Sequence, residues 1–349
     1  MRRIPSPWRR AWLGSLALLL AVAPCCNDAD NAPSSQVTSL RVLAVTADAP
    51  YAAPGDDVTF RMTFADGGSA SDEPRPIQIT WLSGCYNPPG DNYAACYPQV
   101  LAALQGDPEL FQQEIAGPEQ SGAPDAISFN LTVPDDILAG AHPSSTGTLY
   151  GTAYVFFAIC AGAVRPSSAP EADAFPIECF DAGGERLGAD GFVIGYTQVY
   201  VFADGRTNGN PLVQGLSLDG ATLEDAVDSA PAVSPCATPS TEQGCGRQEE
   251  TGCTTYEIKA LMDDVAEVDP ESSGSDGSPL REVIWVDYFA DAGEFDGGSK
   301  LVSDAATGYR EDHGTTWIPP AEPGLVTLWA VAHDARGGSS VTRRFVRVE

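Results

Sequence analysis

The sequence predicts an all-β fold of two tandem sandwiches, the first enlarged by insertions. Three observations lead there. Apolar residues alternate with polar ones in several short runs, the period of strands with one wet face. Glycine and proline, 63 residues together, punctuate the chain between those runs, as turn residues do. One order of strand types then occurs twice.

In the first copy, Val58, Phe60, Met62 and Phe64 alternate with Asp57, Thr59, Arg61 and Thr63. Ile77, Ile79 and Trp81 share one face of the next strand, and a third, Ile127 to Val133, is stopped by Pro134. Leu149 to Cys160 gives a long apolar strand, and Gln198 to Phe202 a last one. The second copy repeats the order. Tyr256, Ile258, Ala260 and Met262 lie on one face, and Val283 to Val286 carries a tryptophan. Thr315 to Ile318 ends at Pro319-Pro320, Gly324 to Val331 is the long strand, and Val341 to Val348 closes the chain. Between the last two, Asp334-Ala335-Arg336-Gly337-Gly338 is a hairpin turn whose glycines supply positive φ.

Strands of this order, with a tryptophan near the third, resemble immunoglobulin-like sandwiches. Leu40-Arg41-Val42-Leu43-Ala44-Val45, Pro54-Gly55-Asp56 and the stretch Val326 to Gly338 resemble lipoproteins of GC-rich Gram-negative bacteria that carry Ig-like or PKD-like modules. The resemblance implies an Ig-like domain over 40–205 and a second over 211–349. It departs from antibody domains in one respect. Met62 and Phe64 stand on the second strand where a cysteine would pin the sheets, so the cores must rest on apolar packing and the cysteines serve loops.

An Ig-like module takes about 100 residues, so the first carries insertions, at 83–125 and 161–191. Within Tyr97 to Gly117 a helix is expected, with Asp107 as N-cap, Pro108 at N1, and Leu110, Phe111 and Ile115 on one face. Thr222-Leu223-Glu224-Asp225 reads as a capping box opening a short helix.

The N-terminus predicts export. Arg2, Arg3, Arg9 and Arg10 precede the uncharged run Ala11 to Ala23, too short for the roughly 20 residues of a membrane span and of signal-peptide pattern. Residues 1–24 are assigned to that signal. Val22-Ala23-Pro24-Cys25 resembles a lipobox, with Pro24 in place of the preferred Gly or Ala, and Cys26 is the alternative acceptor. Residues 25–39 then form a flexible tether, and the lipid holds the chain to the outer membrane or a periplasm-facing membrane. The competing reading is a secreted protein with Cys25 and Cys26 in disulfides.

The formal net charge is −29, and −33 once the four signal arginines are removed. Such a surface repels nucleic acid and anionic lipid head groups. Seven further cysteines, Cys85, Cys96, Cys160, Cys179, Cys236, Cys245 and Cys253, suit an oxidising compartment. Neighbours are expected to pair, Cys85 with Cys96 and Cys160 with Cys179. The last three stay unassigned, with Cys26 a further partner. Their spacing is too wide for a zinc site, whose pairs sit two to four residues apart.

No G-x-S-x-G, H-E-x-x-H or phosphate-binding glycine loop occurs, and His142, His313 and His333 are expected as exposed turn residues. The acidic loop containing Asp263, Asp264, Glu267, Asp269, Glu271 and Asp276 raises calcium as a candidate cofactor, with Asp263, Asp264, Asp269 and Asp276 as ligands; its spacing departs from D-x-D-x-D-G. Otherwise no cofactor is expected. The insertion 161–191 offers Phe175, Ile177, Phe180 and Phe192 as binding anchors, unless these residues fold back to cover the sandwich. The expected function is an exported, lipid-anchored binding or structural module of the envelope, meeting another envelope protein or a glycan. A hydrolase or enzyme-accessory subunit and a passive spacer are the alternatives.

Overall fold

The computed structural model describes residues 33–69, 74–106, 115–116, 127–167, 177–237 and 253–349. The signal segment, Cys25, Cys26, Asp107 to Phe111, Phe175 and Cys245 lie outside the described residues. The fold is all-β, with two sandwiches following each other along the chain.

The first sandwich is built from β1 (Leu40–Ala47), β2 (Asp57–Asp66), β3 (Ile77–Tyr86), β4 (Ser128–Thr132), β5 (Leu149–Cys160) and β6 (Phe192–Phe202). One sheet runs β1-β2-β4. The other runs β6-β5-β3, with the short strand Ile115–Ala116 on the far edge of β3. Val58, Phe60 and Leu131 meet Val155, Val199 and Val201 between them; Met62, Phe64, Ile79 and Ile159 form the adjoining layer. The alternation in β2 is therefore the imprint of one buried face, and Met62 and Phe64 fill with apolar volume the place of a sheet-pinning cysteine.

Residues 151–160 of β5 are all buried, without alternation. Near-continuous apolar strands are buried on both faces, and here the insertions supply the second cover. The helix α1 (Tyr97–Gly106), the 3-10 turn Tyr93–Cys96 and the hairpin Ala163–Pro166/Ile177–Phe180 lie over the outer face of β5. Disulfides Cys85–Cys96 and Cys160–Cys179 tie this cover to the ends of β3 and β5. The described helix is Tyr97–Gly106. The helix expected from Asp107 onward, which α1 precedes, lies outside the described residues, except that Ile115, expected on its apolar face, belongs instead to a two-residue strand opposite Gln78. The start of α1 is set by Pro98, whose missing N–H costs nothing in a first turn.

The second sandwich comprises β7 (Gly215–Leu218), β8 (Tyr256–Leu261), β9 (Ile284–Ala290), β10 (Ser299–Asp304), β11 (Thr315–Ile318), β12 (Gly324–Asp334) and β13 (Ser339–Val348). One sheet has the core order β7-β8-β11, the other β13-β12-β9-β10. Leu216, Ile258, Tyr288, Trp317 and Leu328, all fully buried, pack between them. The Tyr288 hydroxyl crosses the core to the His313 carbonyl at 2.7 Å and accepts from the Ala260 amide at 2.9 Å. Cys236–Cys253 closes a loop beside β8, giving Cys236 a partner that spacing alone had left open.

The expected helix after Thr222 is replaced by a hairpin. Asp219 and Gly220 both take positive φ, 47° and 80°, between β7 and the strand Ala221–Thr222. That is the two-residue turn an Asp-Gly pair prefers, and it consumes Thr222 as a strand residue. A methyl at Gly220 would meet nothing within 4 Å. Gly220→Ala is therefore expected to lose about 1 kcal/mol through backbone strain alone, read as a lower urea midpoint with unchanged slope.

The two sandwiches share an apolar seam. A bulge between Val42 and Ala44 shifts the β1 register, as bulges do to re-aim side chains. Leu43 and Ala44 thereby join Val37, Trp329 and Val331, while Leu40 and Ala47 stay in the first core. Thr46 Oγ1 meets Ser339 Oγ at 3.1 Å, and Asn210 bridges the Ala47 carbonyl (2.7 Å) and the Ser339 amide (2.9 Å).

Candidate functional site

Beside this seam lies a cleft of about 260 Å³, lined by Tyr51, Ser144, Ser145, Tyr150, Tyr200, Phe202, Asp269, Glu271, Ala335 and Arg336. Strand geometry places its aromatic floor. Even-numbered residues of β6 point away from the first core, and Phe202 stands opposite Tyr150 of β5, with ring centroids 5.6 Å apart. Tyr51 joins them because its segment pairs with the free edge of β6: the Ala52 amide bonds the Tyr200 carbonyl at 2.9 Å, and the Tyr200 amide the Pro50 carbonyl at 3.1 Å. Its ring lies 4.8 Å from Phe202 and 5.8 Å from Tyr200.

The second sandwich supplies the polar wall through the strand Val268–Ser273 and the β12–β13 turn. Glu271 is clamped by the turn 144–148 of the first sandwich. Ser145 Oγ donates at 3.0 Å, Thr146 Oγ1 at 2.9 Å, and the Thr146 amide at 3.2 Å. Arg206 Nη1 adds an ion pair at 2.5 Å, and its guanidinium carbon sits 4.4 Å over Phe202. Burial alone would raise the Glu271 pKa, but donors from Ser144, Arg206, Thr146 and Ser145 outweigh it and hold the carboxyl at about 2.

Behind the cleft, Arg336 is almost fully buried. It reaches Glu267 at 2.6 Å, Glu282 at 3.1 Å and Asn208 Oδ1 at 2.8 Å, and lies 5.5 Å over the Tyr51 ring. Asn208 in turn donates to buried Asp334 at 3.0 Å. Burial pushes the Glu282 carboxyl up to about 7, against the Glu267 amide and the Arg336 charge, which pull it down; Asp334 and Glu267 add to the rise.

The aromatic surface continues along β6. Tyr196 is 43% exposed and stacks on Tyr93 with centroids 4.2 Å apart. Between the two patches Asp91, at φ 55°, accepts from Thr152 Oγ1 at 2.8 Å and from the hydroxyls of Tyr150 and Tyr154, both at 3.1 Å. Burial raises the pKa of Tyr51, Tyr150, Tyr154, Tyr196 and Tyr200, the last to about 12. All are neutral phenols at physiological pH, able both to donate and to accept.

The anchors expected in the 161–191 insertion do not form this surface. Ile177 is buried and Phe192 packs beside it in the apolar layer over β5. Phe180 lies under the Arg165 guanidinium at 4.8 Å. The described parts of the insertion lie over β5 because its outer face is apolar and needs cover. The calcium candidates are dispersed. Asp263 accepts from Gln214 at 2.6 Å, and Asp264 faces Arg281 at 3.7 Å. Asp269 accepts from Ser272 and Asp276 from Ser278, both at 2.6 Å. No group of three or more His, Cys, Asp or Glu able to hold a metal occurs among the described residues.

The histidines are not the exposed turn residues expected. His313 is fully buried, its ring nitrogens 2.7 Å and 3.0 Å from the carbonyls of Arg310 and Ala260. His333 stacks on Trp285 at 5.3 Å and faces Asp287 at 3.5 Å; burial lowers its pKa despite that carboxylate. His142 is half-buried, 6.3 Å from the Tyr150 ring. Neither adjacent pair acts together: Asp312 bonds Arg310, and Asp334 turns inward to Asn208.

The cleft residues come from five separated stretches of chain, and no local motif announces them. The available signal was Tyr196, Gln198, Tyr200 and Phe202 alternating along one strand face, with Arg206 just beyond.

No family model and no curated protein matches the chain. Among solved structures it is similar to dimeric latent PorU from Porphyromonas gingivalis, at 11% identity and a TM-score of 0.20, covering 90% of this chain and 24% of that one. It is also similar to three N-terminal domains of the highly immunogenic outer capsid protein of bacteriophage RB49, at 11% identity and a TM-score of 0.17, covering 89% and 99%. No helix among the described residues is long and apolar enough to cross a membrane. Three disulfides are the chemistry of an oxidising, extracytoplasmic compartment.

Proposed function

We propose that the chain is a lipid-anchored binding module of the bacterial envelope, with the cleft between its sandwiches as the recognition surface. The observation that carries this is the cleft's construction. Neutral tyrosines form a floor fixed by sheet pairing, and a clamped carboxylate and a buried arginine lock the wall opposite. Fixed aromatic surfaces lose little entropy on binding. The cleft gathers no histidine and no activated nucleophile, which favours recognition over hydrolysis. Anchoring rests on the lipobox-like Val22-Ala23-Pro24-Cys25.

Two measurements test the reading. Mass spectrometry of the N-terminal peptide from native membranes is expected to show acylated Cys25; an unmodified terminus would mean a secreted protein. Detergent-solubilised full-length chain is expected to sediment with isolated envelope material, and Tyr51→Ala with Tyr200→Ala to reduce this at least fivefold in protein that still unfolds cooperatively. Equal sedimentation of wild type and variant would indicate a spacer.

A further inference from the structure

We infer that the ligand is a neutral saccharide chain, seated with one ring in the cleft and the rest along the outer face of β6. The inference rests on the cleft being a binding site and names what it binds.

The argument begins with charge. A net charge of −29 repels a polyanion, and Asp269 and Glu271 at the cleft sharpen that repulsion. A cationic ligand would seek the aromatic faces, but the protein's own arginines hold those places, Arg206 over Phe202 and Arg336 over Tyr51. A wholly apolar ligand would take the charges of Asp269, Glu271 and Arg206 further out of water without offering them a polar group in return. What remains is a neutral molecule with apolar C–H faces and a rim of hydroxyls. A sugar ring has that form. Its C–H bonds lie against the faces of Tyr200 and Tyr196, which carry no arginine, and its hydroxyls meet phenols, serines and carboxylates that accept or donate.

Size and direction extend the argument. About 260 Å³ is below the roughly 300–1,000 Å³ of pockets for drug-sized molecules, so the cleft takes about one ring. The surface does not stop there. Tyr196, Gln198, Tyr200 and Phe202 share the outer face of β6, and Tyr196 with Tyr93 forms a second exposed platform. Tyr196 and Tyr200 are four residues apart, about 13 Å along a strand. One ring cannot touch both platforms, while a chain of several can. Gln198, whose amide donates to the Tyr200 hydroxyl, lies between them to meet hydroxyls of the intervening rings.

Affinity electrophoresis of the full-length chain through gels containing glucan, mannan, galactan or xylan tests this, with polygalacturonate and chitosan as charged comparisons. At least one neutral polymer is expected to retard the protein. Tyr196→Ala and Tyr200→Ala should each weaken the effect at least tenfold in protein that still unfolds cooperatively. Ile194→Ala, equally exposed but beyond the platforms, should leave it intact. A hexasaccharide of the retarding polymer should compete at least tenfold better than its disaccharide; equal competition would overturn the two-platform arrangement. Retardation by the charged polymers alone would overturn the neutral class. Absence of saccharide binding, with cleft-dependent envelope sedimentation preserved, would overturn this inference and leave the binding-module reading standing, pointing to a protein ligand. Loss of both would overturn both.

Discussion

Replacing Arg336 with alanine is expected to cost about 3–5 kcal/mol at pH 8 and clearly less at pH 5. The arginine side chain is 5% exposed and Glu282 beside it 3%, so removing the cation leaves a buried carboxylate whose near neighbours, Asp334 and Glu267, are also acidic. Burial is the main reason Glu282 already titrates near 7 instead of its ordinary 4.5. A carboxyl whose folded pKa is raised contributes its stabilisation fully below the unfolded value and loses it as pH climbs through the folded value. Wild type should therefore lose stability between about pH 4.5 and 7 from this group. In Arg336→Ala the Glu282 pKa rises further and the loss continues above 7. Urea denaturation at pH 5 and 8 measures the difference, and Glu282→Gln should flatten the slope, because the Gln oxygen still accepts from the Glu267 amide. An Arg336→Ala penalty equal at both pH values would mean the arginine acts through Asn208 and the Thr207 carbonyl instead.

This buried pair marks where reading the sequence reaches its limit. The strands were legible because each rests on a local periodicity. Asp57 to Phe64 alternates since one face is wet, and Leu149 to Cys160 does not alternate since neither is. Leu40 to Val45 and Gly324 to Val331 were legible as apolar strands, but not what lies against their outer faces. That answer, β1 against β13 and the Trp329 and Val331 side chains of β12, depends on a one-residue bulge at Leu43 that no pattern reports. The cleft was illegible for a stronger reason. Tyr51, Tyr150, Phe202, Glu271 and Arg336 meet only after both sandwiches have formed and docked, and each taken alone is an ordinary strand or turn residue. The acidic loop misled in the opposite way. Its carboxylates are neighbours in sequence, yet each bonds a different local donor, so proximity along the chain did not become convergence in space. Asp219-Gly220 was a legible hairpin signal that the capping-box pattern three residues later obscured.

Glu271→Ala is expected to cost about 2 kcal/mol at pH 7 and to make the junction of the sandwiches more susceptible to limited proteolysis. The carboxylate receives Ser145 and Thr146 from the first sandwich and Arg206 from the segment just beyond β6, so its removal leaves those donors to water and unties one side of the cleft. Its pKa of about 2 against an ordinary 4.5 corresponds to about 3 kcal/mol if fully expressed. Solvent at the cleft mouth screens part of that, hence the smaller figure. The sign is opposite to that of Glu282. A depressed carboxyl contributes above the unfolded pKa and loses its contribution as pH falls from about 4.5 to 2. Wild type should accordingly weaken on acidification through that window, and Glu271→Ala should lack this part of the slope. Glu271→Gln separates charge from shape, since it keeps an acceptor for the Thr146 hydroxyl and amide while losing the Arg206 ion pair. If Gln retains protection from protease and only the acid slope disappears, hydrogen bonding fixes the sandwiches and the charge tunes their stability. If Gln behaves as Ala does, the ion pair with Arg206 is what holds the cleft wall against its tyrosine floor.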